Sequence, residues 1–180
     1  MSGPQLSPYK DALTEAMTFL GEQPDTMFIG QQIVYAGNPM STTLTNVSKD
    51  KMVELPVMEE TQMGMSLGVA MTGKTVITFY PRWDFIVLAV NQLVNHIDKY
   101  ELMTGKRANI IVRLGKGSDK PLDPGHQHKG NYLDAFKSMC PNIKFHNLTN
   151  KDDIVDTYKQ AYTSGGVHVI VEYPELYYIQ

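Results

Sequence analysis

Two carboxylates, Glu59 and Glu60, open an apolar segment that carries Gly64 and Gly68. An acid placed where an apolar helix begins is partly shielded from water and well located to handle a proton. A bland reading competes, because the helix dipole favours acids in a first turn whether or not they do chemistry. Two imidazoles, His126 and His128, lie in the loop sequence GKGSDKPLDPGHQHKGN. Imidazoles titrate near neutrality and serve as proton donors and acceptors. With Asp123 they also give part of a metal set, but no third strong ligand is spaced to complete it. Arg113, just before that loop, and Lys116, at its start, either steer an anionic substrate or are simply exposed. Phe85 belongs to an aromatic turn, Trp83-Asp84-Phe85, and periodicity alone makes it a core residue.

The elements that must position these groups alternate along the chain. Pro8 to Leu20 has the apolar spacing of a helix, stopped by Gly21 and Pro24. Thr26 to Ile29, Met52 to Leu55, Thr75 to Tyr80, Ala108 to Leu114, Asn142 to Leu148 and Val167 to Tyr173 read as strands. Helices are expected at Glu59 to Thr72, Asp84 to Met103, Asn131 to Met139 and Asp152 to Ser164. Near-continuous apolar strands between helices point to an α/β domain, a mostly parallel sheet covered on both faces. The polar stretch Gly30 to Lys51 is long for a loop, which marks a functional or interface segment.

Bulk properties exclude several classes. The 180 residues suit one domain, and a net charge of -3 favours neither nucleic acid nor a membrane surface. No apolar run reaches the roughly 18 residues of a membrane helix, and the N-terminal MSGPQLSPYK lacks a secretory layout. Cys140 is the sole cysteine, so a reducing cytoplasm is the expected location. Eleven methionines are many for this length; Met63, Met65 and Met71 fall near one helix, where Met fills a core or a subunit seam.

The run from Pro56 to Gly105 resembles the pyrimidine-binding domain of thiamine diphosphate enzymes, closest to the beta subunits of 2-oxo acid dehydrogenases. That family places its catalytic Glu three residues after a Pro, as Glu59 follows Pro56, with Gly five and nine residues beyond, as in Gly64 and Gly68. Phe85 occupies the place of the aromatic that packs on the cofactor's pyrimidine ring, with Trp83 a nearby competitor. Asn91-Gln92-Leu93-Val94-Asn95, Lys99-Tyr100 and Met103-Thr104-Gly105 follow the family's next helix, and Val112-Arg113 and Gln127-His128 its later strand and loop.

The resemblance implies a thiamine diphosphate-binding fold and a role for each residue. Glu59 would bond a pyrimidine ring nitrogen and favour the imino tautomer that removes the C2 proton, while Glu60 stays bland. Phe85 would pack on the ring, and His128 would exchange a proton with the substrate-derived intermediate, with His126 secondary; Arg113 remains a candidate for steering the anionic 2-oxo acid. Residues 1–180 would form one pyrimidine-binding domain, without a diphosphate-binding domain or a C-terminal transketolase-type domain. The Gly-Asp-Gly…Asn signature that holds Mg2+ and the diphosphate has no counterpart, so both are expected on a separate subunit, in a two-plus-two heterotetramer acting on a 2-oxo acid. Alternatives are transketolase-like ketol transfer and a degenerate domain that only binds or regulates a partner. Gln31 and Gln32 replace the family's acidic residues, and the sequence gives them no role.

Overall fold

Strand β1 (Thr26–Gly30) lies at the centre of the chain's first reversal: β2 (Met52–Glu54) pairs on one side of it and β3 (Thr75–Tyr80) on the other. With β4 (Asn109–Gly115), β5 (Lys144–Asn147) and β6 (Val167–Glu172) they form one six-stranded sheet, order β2-β1-β3-β4-β6-β5, in which every pairing is parallel. The structure, a computed structural model, describes residues 7–35, 37–120 and 123–178. The N-terminal reading of residues 1–6, and positions 36, 121, 122, 179 and 180 of the expected domain, lie outside the described residues.

Period-two alternation divides each central strand between two cores. Val76, Tyr80, Ile110, Val112, Val169 and Val171 face one side, packed beneath α2 (Glu59–Ala70), α3 (Trp83–Ile86) and α5 (Leu133–Met139). Phe28, Ile77, Phe79, Ile111 and Ile170 face the other, beneath α1 (Pro8–Glu22) and α6 (Ile154–Ser164). The expected three-layer α/β fold is therefore observed, with a sheet that is wholly parallel. Local signals explain the elements. The Ser7 hydroxyl caps α1 by accepting from the Lys10 amide at 3.3 Å, and Pro8 sits in the first turn, where its missing N–H costs nothing. Leu13, Ala16, Met17 and Leu20 then form the buried stripe of that helix.

One expectation fails. Residues 84–103 do not form one regular helix: α3 gives way to a 3-10 turn at Val87–Ala89, a π-helical stretch at Gln92–Ile97 and then α4 (Tyr100–Thr104). The wide turn has a physical reason. The Asp98 amide reaches back five residues to the Leu93 carbonyl at 2.9 Å, while the buried Asp98 carboxylate accepts from the Asn142 amide at 2.9 Å and its side chain at 3.1 Å. Holding Leu93 and Ile97 in the core and Asp98 on Asn142 requires the extra residue per turn. The chain then stops at Gly105, whose φ of 67° is left-handed.

Candidate functional site

The reversal between β1 and β3 is the topological switch point of this sheet, where parallel α/β folds open a crevice at the strands' C-terminal ends. A cleft of about 440 Å³ lies at that end. Gln31 and Gln32 enter it after β1, Val57 and Glu59 after β2, Pro81, Arg82 and Phe85 after β3, and Lys116, Gly117 and Ser118 after β4.

Glu59 is the first residue of α2 and only 6 % exposed, with its remaining accessible surface on the cleft. Its position is anchored from below: the buried Tyr80 hydroxyl donates to the Glu59 carbonyl at 3.0 Å. Gln62, one turn on, donates to Thr78 Oγ1 at 3.0 Å and to the Phe79 carbonyl at 2.8 Å, which pins α2 to β3. Among the described residues, no donor hydrogen-bonds the Glu59 carboxyl. A nearly buried acid without an internal partner needs one from outside the chain. Glu60 points away, exposed, with the Gln92 amide 3.5 Å from its carboxylate.

Phe85 lines the same cleft and is half-buried. Behind it stands His128, ring centroids 5.3 Å apart and planes tilted 50°. His128 does not itself line the cleft wall, and its Nδ1 is buried with no hydrogen-bond partner. The loop that carries it is tied down by Lys129, whose ammonium reaches Asp119 at 2.5 Å and Asp123 at 3.1 Å. Asp123 also accepts from the Gly125 amide at 2.9 Å, so its carboxylate is committed within the loop. Gly117 backs directly onto His128: a Cβ at 117 would lie 1.8 Å from the His128 carbonyl oxygen.

One assignment from the sequence is corrected. Arg113 is 0 % exposed and cannot meet a substrate in the cleft. It points into the opposite core, where its guanidinium pairs with Glu172, donates to Thr43 Oγ1 at 2.8 Å and lies over the Phe79 ring. Burial opposes its charge, but the adjacent Glu172 carboxylate outweighs that and holds it protonated. Tyr158 and Tyr177 also donate to Glu172, and burial beside that carboxylate pushes both phenols well up. A strand-end Arg looks identical in sequence whether it faces the cleft or the core. His126 is exposed on the turn before His128 and, like His128, does not line the cleft wall.

Sequence reasoning overlooked Arg82 and Glu54. Arg82 follows β3 after Pro81 and lines the cleft; its place two residues past a strand's end was the available signal. Glu54 ends β2, and its carboxylate accepts from three successive amides, Gln32 at 2.5 Å and Ile33 and Val34 each at 2.9 Å. This holds Gln32 at a φ of 55°, unusual for a side-chain-bearing residue, and presents the Gln31–Gln32 turn to the cleft. The two glutamines thus belong to the site.

A family model described as transketolase, pyrimidine binding domain, matches residues 7–179. The pyruvate dehydrogenase E1 component subunit beta of Gracilaria tenuistipitata var. liui is 27 % identical over 140 residues, covering 74 % of this chain and 42 % of the relative. The mitochondrial pyruvate dehydrogenase E1 component subunit beta of Homo sapiens is 24 % identical over 174 residues, covering 93 % and 48 %. The chain spans half or less of the length of these relatives. A solved structure described as split gene transketolase, inactive beta4 tetramer, superposes with a TM-score of 0.72 over 95 % of this chain and 52 % of that one. At 16 % identity, that likeness shows the fold.

Proposed function

We propose, because the chain belongs to the transketolase pyrimidine-binding domain family, that it is the pyrimidine-binding subunit of a heteromeric thiamine diphosphate enzyme acting on a 2-oxo acid in the cytoplasm. The observation that carries this reading is Glu59: a nearly buried residue that lines a cleft shared with Phe85, its carboxyl without a hydrogen-bond partner in the described chain. The fit is chemical as well as spatial. A protonated ring nitrogen or ring acceptor would give that carboxyl the one partner it lacks, and the Phe85 face beside it suits an offset aromatic contact. Thiamine diphosphate, when bound, supplies the nucleophilic carbon that attacks the 2-oxo group and accepts the electrons left by decarboxylation.

The chain's own residues then have separate tasks. Glu59 would share a proton with the pyrimidine nitrogen, Phe85 would pack on the ring, and His128, which stands behind Phe85, would exchange a proton with the substrate once Phe85 moves toward the bound ring. Glu54 holds the Gln31–Gln32 wall. The diphosphate and Mg2+ belong to a second subunit, in a two-plus-two assembly. A surface for such a subunit is available on α2 and the segment after α3. Met71 and Leu88 are 60 % and 61 % exposed, Met65 and Val87 are exposed too, and a Cβ at Gly68 would meet nothing within 4 Å. Transketolase-like ketol transfer is the second reading, because the family to which the chain belongs is that of the transketolase pyrimidine-binding domain.

Calorimetric titration of thiamine diphosphate with Mg2+ tests the split site. The isolated chain should bind weakly or not at all. Tight binding should appear on adding the product of a neighbouring reading frame that carries the Gly-Asp-Gly…Asn pattern. Tight binding by the chain alone would contradict the shared-site reading.

A further inference from the structure

The cleft is basic in an otherwise acidic protein. The chain's net charge is -3, yet the cleft walls carry Arg82, Lys116 and Lys120 against the single carboxylate of Glu59. Arg82 and Lys116 are half-buried, and among the described residues neither forms an ion pair. Each rests on an aromatic face instead: the Arg82 guanidinium lies 6.0 Å from the Phe85 ring centroid, and the Lys116 ammonium 5.5 Å from that of Tyr173. The acids nearby are engaged elsewhere. Asp84 accepts from the Tyr132 hydroxyl through Oδ1 and keeps Oδ2 buried without a partner, Asp119 holds Lys129, and Glu172 holds Arg113. Glu175 shares the hollow beyond Lys116 without pairing to it.

Both cations are also held in place through their backbones. The Lys116 amide donates to the Glu172 carbonyl at 2.8 Å, extending the sheet by one bond, and the Arg82 carbonyl accepts from the Phe85 amide at 3.2 Å. Two positioned, partly desolvated cations without counter-ions are an incomplete electrostatic arrangement, and an anion in the cleft completes it.

We propose that Arg82 and Lys116 form an anion seat for the substrate, which carries a phosphate, or a carboxylate additional to that of a 2-oxo acid, at the end remote from its reacting carbon. This rests on the proposed function in placing the reacting carbon beside Glu59 and Phe85. The cation over Phe85 sets the seat next to the ring that would contact the cofactor, so these two residues select dianionic over monoanionic substrates.

NMR titration of the 15N-labelled full chain tests the seat with defined probes: 2-oxobutyrate with one negative charge, 2-oxoglutarate with two, and glycerol 3-phosphate with a dianionic group. The dianions should shift the amides of Arg82, Phe85, Lys116 and Gly117 and bind at least about tenfold more tightly than 2-oxobutyrate, a preference that added salt erodes. The double variant Arg82→Gln, Lys116→Gln should keep the folded spectrum and lose the preference, whereas Lys137→Gln on the exposed side of α5 should retain it. Equal affinity for one and two charges, or no shifts at these amides, would overturn the proposal. So would thiamine diphosphate shifting the same amides where thiamine does not, because the seat would then belong to the cofactor. These titrations do not read Glu59, so their failure leaves the proposed function standing, and a failed Glu59 experiment leaves the seat standing.

Discussion

The rings of Phe85 and His128 lie 5.3 Å apart at a tilt of 50°, joining the short helix after β3 to the loop after β4. The residue in the cleft wall and the imidazole behind it therefore share one aromatic contact. His128 Nδ1 has no internal partner, which leaves that nitrogen available if Phe85 shifts toward a bound ring. The contact is set by the backbone beneath it, where Gly117 meets the His128 carbonyl.

Gly117→Ala should displace this arrangement. The added methyl would occupy the space of a carbonyl oxygen 1.8 Å away, and backbone cannot swing aside as a flexible side chain can. Overpacking of this kind costs about 1–3 kcal/mol. Urea denaturation should show that loss, and the His128 ring resonances should move. Unchanged stability together with an unmoved His128 would contradict the close packing.

His128→Ala should slow turnover of the reconstituted enzyme while leaving the cofactor's C2 proton exchange intact, since the proposed role of the imidazole is toward the substrate and not the cofactor. His126→Ala should do little, because that side chain is exposed and, unlike His128, makes no ring contact with Phe85. Steady-state rates with a C2 exchange measurement separate the two roles. Normal turnover by His128→Ala would reduce this residue to a packing role against Phe85.

Arg113→Met should destabilise the fold rather than alter substrate affinity. Removing it strands the buried Glu172 carboxylate between Tyr158 and Tyr177. Breaking one side of a buried pair typically costs about 3–5 kcal/mol. A variant of native stability with a raised KM would restore Arg113 to the substrate site.

Acid should weaken the fold through His168. Its ring is stacked on His146 at 12°, with their nitrogens 2.9 Å apart, at the start of β6. Burial is the main cause that lowers His168 to about 4, with His146 and Lys144 adding repulsion. The folded state thus binds the proton less readily than the unfolded chain, whose histidine titrates near 6.5. The stability contribution is complete above about pH 6.5 and is lost as the pH falls through about 4, a change of up to ~3 kcal/mol. Denaturation midpoints of wild type and His168→Gln across that window should converge on acidification. A pH slope unaffected by the substitution would refute the assignment.

Much of this was legible from residue patterns, and the limits have physical causes. Strands and flanking helices follow from apolar runs and Gly or Pro stops, so the sheet and the placement of Glu59 at the mouth of α2 were readable. Asp98 defeated the helix reading, because its partner Asn142 is remote in sequence and local periodicity carries no trace of the π turn it imposes. Arg113 defeated the site reading, since alternate strand residues face opposite layers and only the register with β6, where Arg113 aligns with Ile170, fixes its side. Glu54 was unreadable as a loop organiser for a similar reason: its three amide partners lie about 20 residues upstream and meet it only through β1–β2 pairing.

Exchange of the thiamine diphosphate C2 proton, followed by NMR in the complex with the partner subunit, tests the role of Glu59 most directly. Glu59→Gln keeps the side chain's shape but cannot share the proton that favours the imino tautomer, so exchange should slow by roughly two to four powers of ten. Glu60→Gln, on the exposed neighbour, should exchange at close to the wild-type rate. An unchanged exchange rate in Glu59→Gln, with cofactor demonstrably bound, would contradict the account.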